Sequence, residues 1–416
     1  MTRTTESETR ASGSEAVEPT RTTARESETG PLAGQRDRFA LPSDTHFLNC
    51  AYMGPLPREA EQAGREALAR KRLPTAIVPP GDFWSTSDAL RKRFASLVGS
   101  DEPERVAIQP GVSYAAACAA KNLPVSRGQN IVLLEEQFPG NVYAWHRLAA
   151  ESGAELRVVA PGEGGVRGAL WNERLLEAVT PETAVVTVPT VHWTDGTQFD
   201  LEAVGGRCRR FGAALVVDAT QSLGMAPFSV AEVQPDLVVS CSYKWLLGPY
   251  SVAFTWMGPR FDDGTPIEET WIGRAGSDDF RRLVNYRAEY RPGAVRYDVA
   301  ERSNFFLLPI AEASLDLMLG WGASRIEAYC ADLTDGLFAD LAGDGYEAEG
   351  RAWRSSHLFG LRMPAKVDLV ELQAELARRR IHVSLRGSAL RVSVHVYNDR
   401  SDLEALKEVL KPAARG

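Results

Sequence analysis

VVDATQSLGMAPFSVAEVQPDLVVSCSYKWLLGPYSVAF, residues 216–254, decides how this chain folds. It holds two short apolar runs, one ending at Asp218 and one ending just before Ser242-Tyr243-Lys244-Trp245. Runs of Val and Leu without alternation belong to strands buried on both faces, as in a parallel sheet covered by helices. Neighbouring strands of such a sheet deliver Asp218 and Lys244 to the same edge, where ligands of open α/β sheets bind. An unpaired lysine charge buried there costs several kcal/mol even after relaxation. Lys244 therefore either reaches solvent or meets something that removes its charge.

The same texture extends on both sides. Val106–Ile108, Ile131–Leu134, Leu156–Ala160, Ala184–Val188, Ala214–Val217, Leu237–Ser240 and Ser251–Thr255 read as strands, alternating with helical stretches. Two helices precede them, over 56–72 and 87–99, the second stopping at Gly99. This predicts an α/β fold with a mostly parallel sheet flanked by helices. After about residue 290 the pattern becomes a long amphipathic helical region from Ala311, a helix over 367–380, and a strand pair from IHVSL and ALRVSVHVY. That is a smaller α+β C-terminal domain. Residues 1–36, rich in Ser, Thr, Glu and Arg, bury too little apolar area to offset ordering and read as a disordered tail. The division is thus 1–36 tail, 37–290 large domain and 291–416 small domain.

Composition narrows the class. The 416 residues are 44% hydrophobic and 25% charged, with a net charge of -8 from interspersed residues. That pattern points to a small-molecule partner and away from nucleic acid or a lipid surface. Five scattered cysteines without a C-x-x-C pair suit a reducing compartment, so the expected location is cytoplasmic. No apolar stretch is long enough for a membrane helix, and no metal-ligand spacing occurs.

Chemistry at the sheet edge has a bland and a sharp reading. A salt bridge between Asp218 and Lys244 is the bland one. The sharp one is pyridoxal 5'-phosphate, whose aldehyde forms a Schiff base with the lysine amine while an aspartate pairs with its protonated ring nitrogen. Phosphate then needs donors. RVAIQPGVSYAAACAAKNL is a strand, a turn and a helix, with Val112 and Ser113 at the helix N-terminus, where free N–H groups favour anions. Tyr243 adds a phenolic hydroxyl, and Phe138, directly after the strand at 131–134, offers a ring to stack on. Each taken alone reads equally as capping or packing; their convergence on one sheet edge is the argument.

These residues carry a family resemblance. With HFLNCAYMGPLP upstream and LRVSVHVYN near the end, the quoted stretch resembles the class V aminotransferase family of fold type I pyridoxal phosphate enzymes, relatives of kynureninases and cysteine desulfurases. The resemblance spans about 38–410, and its specific element is D-x-x-Q followed by a polar residue and lysine. It implies Lys244 as the cofactor-bound lysine and proton shuttle, and Asp218 on the pyridine nitrogen. Gln221 lies near the phenolic oxygen, with Thr220 beside it. Val112, Ser113 and Tyr243 hold phosphate, and Phe138 stacks. Arg391 receives the substrate carboxylate, the task for which a bidentate guanidinium suits. Asn49 and His192 lie on the substrate side, His192 together with Trp193 and Asp195. Trp271 reaches toward the cofactor of a neighbour in a homodimer.

The implied function is an aminotransferase-like enzyme acting on an amino acid or amine through an external aldimine and a Cα carbanion. A kynureninase-like or carbon–sulfur lyase is the alternative. Tyr243 and Phe138 stand where many relatives have histidines, which leans toward kynureninases. No cysteine occurs in SLRGSALR, where desulfurases carry theirs. An inactive cofactor-binding scaffold needs neither Lys244 nor Asp218, and a dinucleotide-binding protein needs a G-x-G-x-x-G that is missing after the first strand.

Overall fold

The computed structural model describes residues 30–162, 167–386 and 389–414. Most of the tail, residues 1–29, lies outside them. Within the remainder of the stretch assigned to the tail, Gln35 N donates to Val396 O and Arg36–Arg38 form a turn of 3-10 helix, so ordered chain begins before Phe39.

Among the described residues, twelve strands form three sheets. β1 (His46–Phe47) pairs with β10 (Ile381–His382). The central sheet comprises β2 (Val106–Gln109), β3 (Asn130–Leu134), β4 (Glu155–Val159), β5 (Thr183–Pro189), β6 (Ala214–Asp218), β7 (Leu237–Cys241) and β8 (Ala253–Met257). Its order is β2-β8-β7-β6-β5-β3-β4. Only β8 runs against the others. The third sheet is antiparallel, in the order β11 (Ser384–Arg386), β12 (Ala389–Ser393), β9 (Leu358–Arg362). Among the described residues the α-helices are α1 (Arg58–Lys71), α2 (Gly81–Leu97), α3 (Val112–Asn122), α4 (Tyr143–Ser152), α5 (Arg167–Ala178), α6 (Leu201–Phe211), α7 (Val230–Val233), α8 (Leu307–Trp321), α9 (Ala323–Ala342), α10 (Leu369–Arg378) and α11 (Arg400–Ala413).

The central strands behave as buried parallel strands should. Side chains alternate between two cores, Leu215 and Val217 to one face, Ala214 and Val216 to the other. This period of two is the pleat itself. Loss of apolar area from water on both faces stabilises the sheet at roughly 25 cal/mol per Å². A third core gathers β9, β12 and α9 to α11, together with Phe39, Leu48 and Cys50 and, from the turn after β7, Trp245 and Leu247.

Three sequence expectations change. The long helical region is two helices, because Gly322 adopts φ +78° between α8 and α9. Ile381–His382 leave the expected C-terminal strand pair to bond β1. β9, with no counterpart in the sequence reading, supplies the third strand of that sheet.

Candidate active site

Asp218 closes β6 and Lys244 follows β7, its hydrogen-bonded neighbour. A tight turn holds the lysine. Ser242 Oγ donates to Pro249 O at 2.6 Å, Gly248 N donates to Ser242 O, and Leu247 N donates to Lys244 O. Trp245 and Leu247 are fully buried in the third core, and Gly54 N donates to Tyr243 O. A Cβ on Gly54 would sit 2.2 Å from Lys244 O. The backbone of the 49–54 segment thus presses directly on the lysine turn, an approach that glycine permits.

Lys244 Nζ projects into a cavity of about 570 Å³ at the sheet edge. The side chain is 5% exposed and lies 4.9 Å from the Phe138 ring centre. Among the described residues no carboxylate comes within 4.0 Å of it, so the salt bridge to Asp218 is not formed. Burial holds its pKa below that of an ordinary lysine, with Cys241 and Asp218 acting in the other direction. An amine without a counter-ion in a desolvated place favours its neutral, nucleophilic form.

Asp218 is buried, and its carboxylate accepts from Thr220 N at 3.0 Å. Desolvation raises its pKa, against the bonds from Thr220 and the charge of Lys244. A cation set against it would restore the ionised form. Trp245 Nε1 donates to Gln221 Oε1 at 2.8 Å, while Gln221 Nε2 is buried with no partner. Gln221 is one of the residues lining the cavity, and a buried amide donor without an acceptor is rare in a folded protein.

The opposite wall is the start of α3. No side chain caps the helix, and a Cβ on its N-cap residue Gly111 would meet nothing within 4 Å. Val112 and Ser113 line the cavity there, with Tyr243, Tyr250 and Ser251 completing the rim. The helix dipole makes this end attractive to an anion. Burial pushes the Tyr243 hydroxyl to a higher pKa, so it stays a donor.

Nine residues singled out from sequence therefore line one cavity: Val112, Ser113, Phe138, Trp193, Asp218, Thr220, Gln221, Tyr243 and Lys244. Asn49, His192, Asp195, Trp271 and Arg391 do not. Arg391 is 1% exposed, donates to Trp193 O at 2.9 Å, and leaves Nε without a partner. Burial and neighbouring Arg386 lower its pKa to about 10. Asn49 stands behind it: Ser384 Oγ donates to Asn49 Oδ1 at 2.9 Å, and Arg391 Nη2 reaches Ser384 Oγ at 3.4 Å. Asn49 positions the arginine rather than touching the cavity.

His192 is a correction. It is fully buried, packed 4.7 Å from the Trp171 ring, and bonded to Thr194 Oγ1 and Glu135 O. Its neighbour Trp193 lines the cavity instead and meets Phe138 edge to face at 5.6 Å. Adjacent side chains of extended backbone point opposite ways, so only one of the two can face the site. Trp271 lines a separate cavity and packs on Phe83, Trp84 and Phe280. The sequence reading also passed over Gln137, Cys241 and Tyr250, whose signal is only their place just beyond a strand end or in the lysine turn.

Comparison with known proteins now bears on this geometry. The family model "Aminotransferase class-V" matches residues 81–263, which span α2 through the whole central sheet. The matched segment includes Asp218 and Lys244. The chain is 28% identical over 330 residues to the uncharacterized aminotransferase YcbU of Bacillus subtilis (strain 168), covering 77% of this chain and 82% of that protein. It is 25% identical over 388 residues to isopenicillin N epimerase of Streptomyces clavuligerus, covering 90% and 96%. Kynureninase of Pseudomonas fluorescens matches at 26%, covering 74% and 73%. In fold, the apo cysteine desulfurase of Thermococcus onnurineus NA1 superposes with a TM-score of 0.79 at 19% identity, covering 92% of this chain and 97% of that one. The fold is fold type I.

Proposed function

We propose that this chain is a pyridoxal 5'-phosphate enzyme that transaminates an amino acid or amine. The observation that carries it is the buried Lys244 amine, unpaired within 4.0 Å, facing the cavity that Asp218 enters from the adjacent strand. The class-V match and the aminotransferase, epimerase and kynureninase relatives support the same class. The cavity fits the cofactor. The orphan Gln221 Nε2 suits its phenolic oxygen, Asp218 its ring nitrogen, the uncapped start of α3 with Tyr243 its phosphate, and Phe138 its ring face.

Bound there, pyridoxal phosphate supplies an aldehyde that condenses with an amine and a ring that accepts electron density from a bond broken at Cα. The chain's own residues do the rest. Arg391 binds the substrate carboxylate and sets which Cα bond faces the base. Lys244, kept neutral by burial, takes the Cα proton and returns it. Asp218 holds its negative charge against the ring nitrogen, an electrostatic contribution already in place before reaction. Among the described residues lining the cavity, no histidine and no carboxylate other than Asp218 competes with Lys244 as a base. Removal and return of the proton by one group is the pattern of transamination rather than of racemisation with a base on each face.

One observation favours the second reading, a lyase of kynureninase or carbon–sulfur type. Tyr243 and Tyr250 pack at 4.6 Å on the rim, and a protonated hydroxyl there can serve a departing group. Desulfurase-type persulfide chemistry is not favoured. All five cysteines are buried, and Cys241, which lines the cavity, has its thiol pKa pushed up to about 11.

The test is incubation of the purified enzyme with mixed amino acids and no oxo acid, followed by mass analysis of the released cofactor. Pyridoxamine phosphate is expected. Unchanged cofactor with new amino-acid fragments would establish the lyase, and absence of the cofactor would overturn both.

A further inference from the structure

A second cavity of about 570 Å³ adjoins the first, sharing Gln137 and Trp193 as a common wall. Its floor is one face of the antiparallel β11-β12-β9 sheet. Arg386 lies opposite Ala389, and Ala389 opposite Arg362; one row over, Ser384, Arg391 and Gly360 are aligned. Residues two apart on a strand, and residues directly opposite on the next, share a face. Arg386 and Arg391 are therefore diagonal neighbours on the same face, roughly 7–8 Å apart at the backbone. Ala389 and Gly360 put only small groups on the floor between the arginines, with Asp195 packed against Gly360.

Three arginines border this cavity, and two have partners. Arg167 pairs with Asp195 at 3.1 Å, and Arg362 with Glu347 at 3.4 Å. Arg386 has no carboxylate within 4.0 Å among the described residues, and its Nε is buried without a hydrogen-bond acceptor. Arg386 Nη1 donates to Leu385 O, and its guanidinium sits 5.2 Å from the Trp193 ring, with Arg391 at 5.9 Å from the same ring. Glu136 and Glu349 also line the cavity, but Glu136 is exposed and Glu349 accepts from Gly168 N and Gly350 N. Two guanidiniums thus flank one indole with neither neutralised. A half-buried arginine left so is costly unless an anion arrives.

We infer that Arg386 and the second cavity bind a distal anionic group, so that the substrate is an amino acid with a second acidic group, its α-carboxylate on Arg391 and its side-chain acid on Arg386. This rests on the proposed function for which end reacts, but not for the binding of the second acid. A single carboxylate shared by both arginines is the competing arrangement, and it makes no use of the second cavity.

Amine-free probes separate the two. Dissociation constants of succinate, glutarate and adipate, with pentanoate as the single-acid reference, are measured by calorimetry on the purified holoenzyme. At least one dicarboxylate is expected to bind tenfold or more tighter than pentanoate, the scale of a charge-assisted hydrogen-bonded pair. Arg386→Gln should collapse that ratio toward one, and Arg386→Lys should restore part of it. Ala389→Leu, which fills the floor and leaves both arginines, should collapse it as well and serves if Arg386→Gln does not fold. A ratio near one in the unmodified enzyme, or equal losses for mono- and dicarboxylates in Arg386→Gln, would overturn the inference. Borohydride labelling of Lys244 reports independently on the cofactor, so failure of the second acid site and failure of the proposed chemistry are told apart.

Discussion

Lys244 and Asp218 illustrate how single residues acquire a function from where the backbone leaves them. Each is buried, and each has its pKa displaced by desolvation toward the neutral form. A ligand with a carbonyl and a protonatable ring nitrogen resolves both at once. Lys244→Ala should abolish covalent attachment of the cofactor while leaving the fold intact, which absorbance and circular dichroism check together. Asp218→Asn should retain cofactor but lower kcat by about 10²–10³, the scale of losing one preorganised electrostatic partner. This pair was legible in the sequence because both residues end buried Val-rich strands. The orphan donor of Gln221 was not, since it depends on Trp245 having claimed the other amide atom. Nor was the Asn49–Ser384–Arg391 chain, which joins segments 335 residues apart. His192 and Trp193 could not be told apart from composition, because the choice turns on which side of the chain faces the core.

At the level of elements, the lysine turn is clamped between two cores. Gly54→Ala places a Cβ against the Lys244 carbonyl and should cost about 1–3 kcal/mol, as overpacking does, with weaker cofactor retention; urea denaturation and absorbance check both. From behind, His357 Nε2 donates to Gln221 O at 2.7 Å, and His395 Nε2 to Trp245 O at 3.1 Å, while His395 Nδ1 accepts from Val396 N. Burial lowers their pKa values to about 4 and about 3 from 6.5. The folded state thus binds fewer protons than the unfolded one, and stability rises with pH. The contribution is complete above about pH 6.5 and falls as pH drops toward 4, by on the order of 3 kcal/mol for His357. Urea midpoints at pH 7.5 and 5.0 should show a steeper loss in the unmodified enzyme than in His357→Asn; equal slopes would remove His357 from the account. The central strands were readable in the sequence because burial on both faces leaves an unbroken apolar run. β9 was not, since Leu358–Arg362 includes a glycine and ends on an exposed arginine.

For the whole molecule, the central sheet presents the cavity and the third core presses the lysine turn toward it. We propose that the small domain begins near residue 290, its core also taking in Phe39, Leu48, Cys50, Trp245 and Leu247 from before that point, and that the enzyme works as a homodimer. Trp271, 36% exposed at the edge of an aromatic cluster, is the residue assigned to the partner's site. Gel filtration should give twice the chain mass, and Trp271→Ala should weaken cofactor retention; a fully active monomer would remove that role. The central claim is that Lys244 carries pyridoxal phosphate in this cavity. Borohydride reduction of the purified enzyme followed by peptide mass mapping tests it most directly. The account predicts a phosphopyridoxyl group on Lys244 alone; the same group on another lysine, or on none, would contradict it.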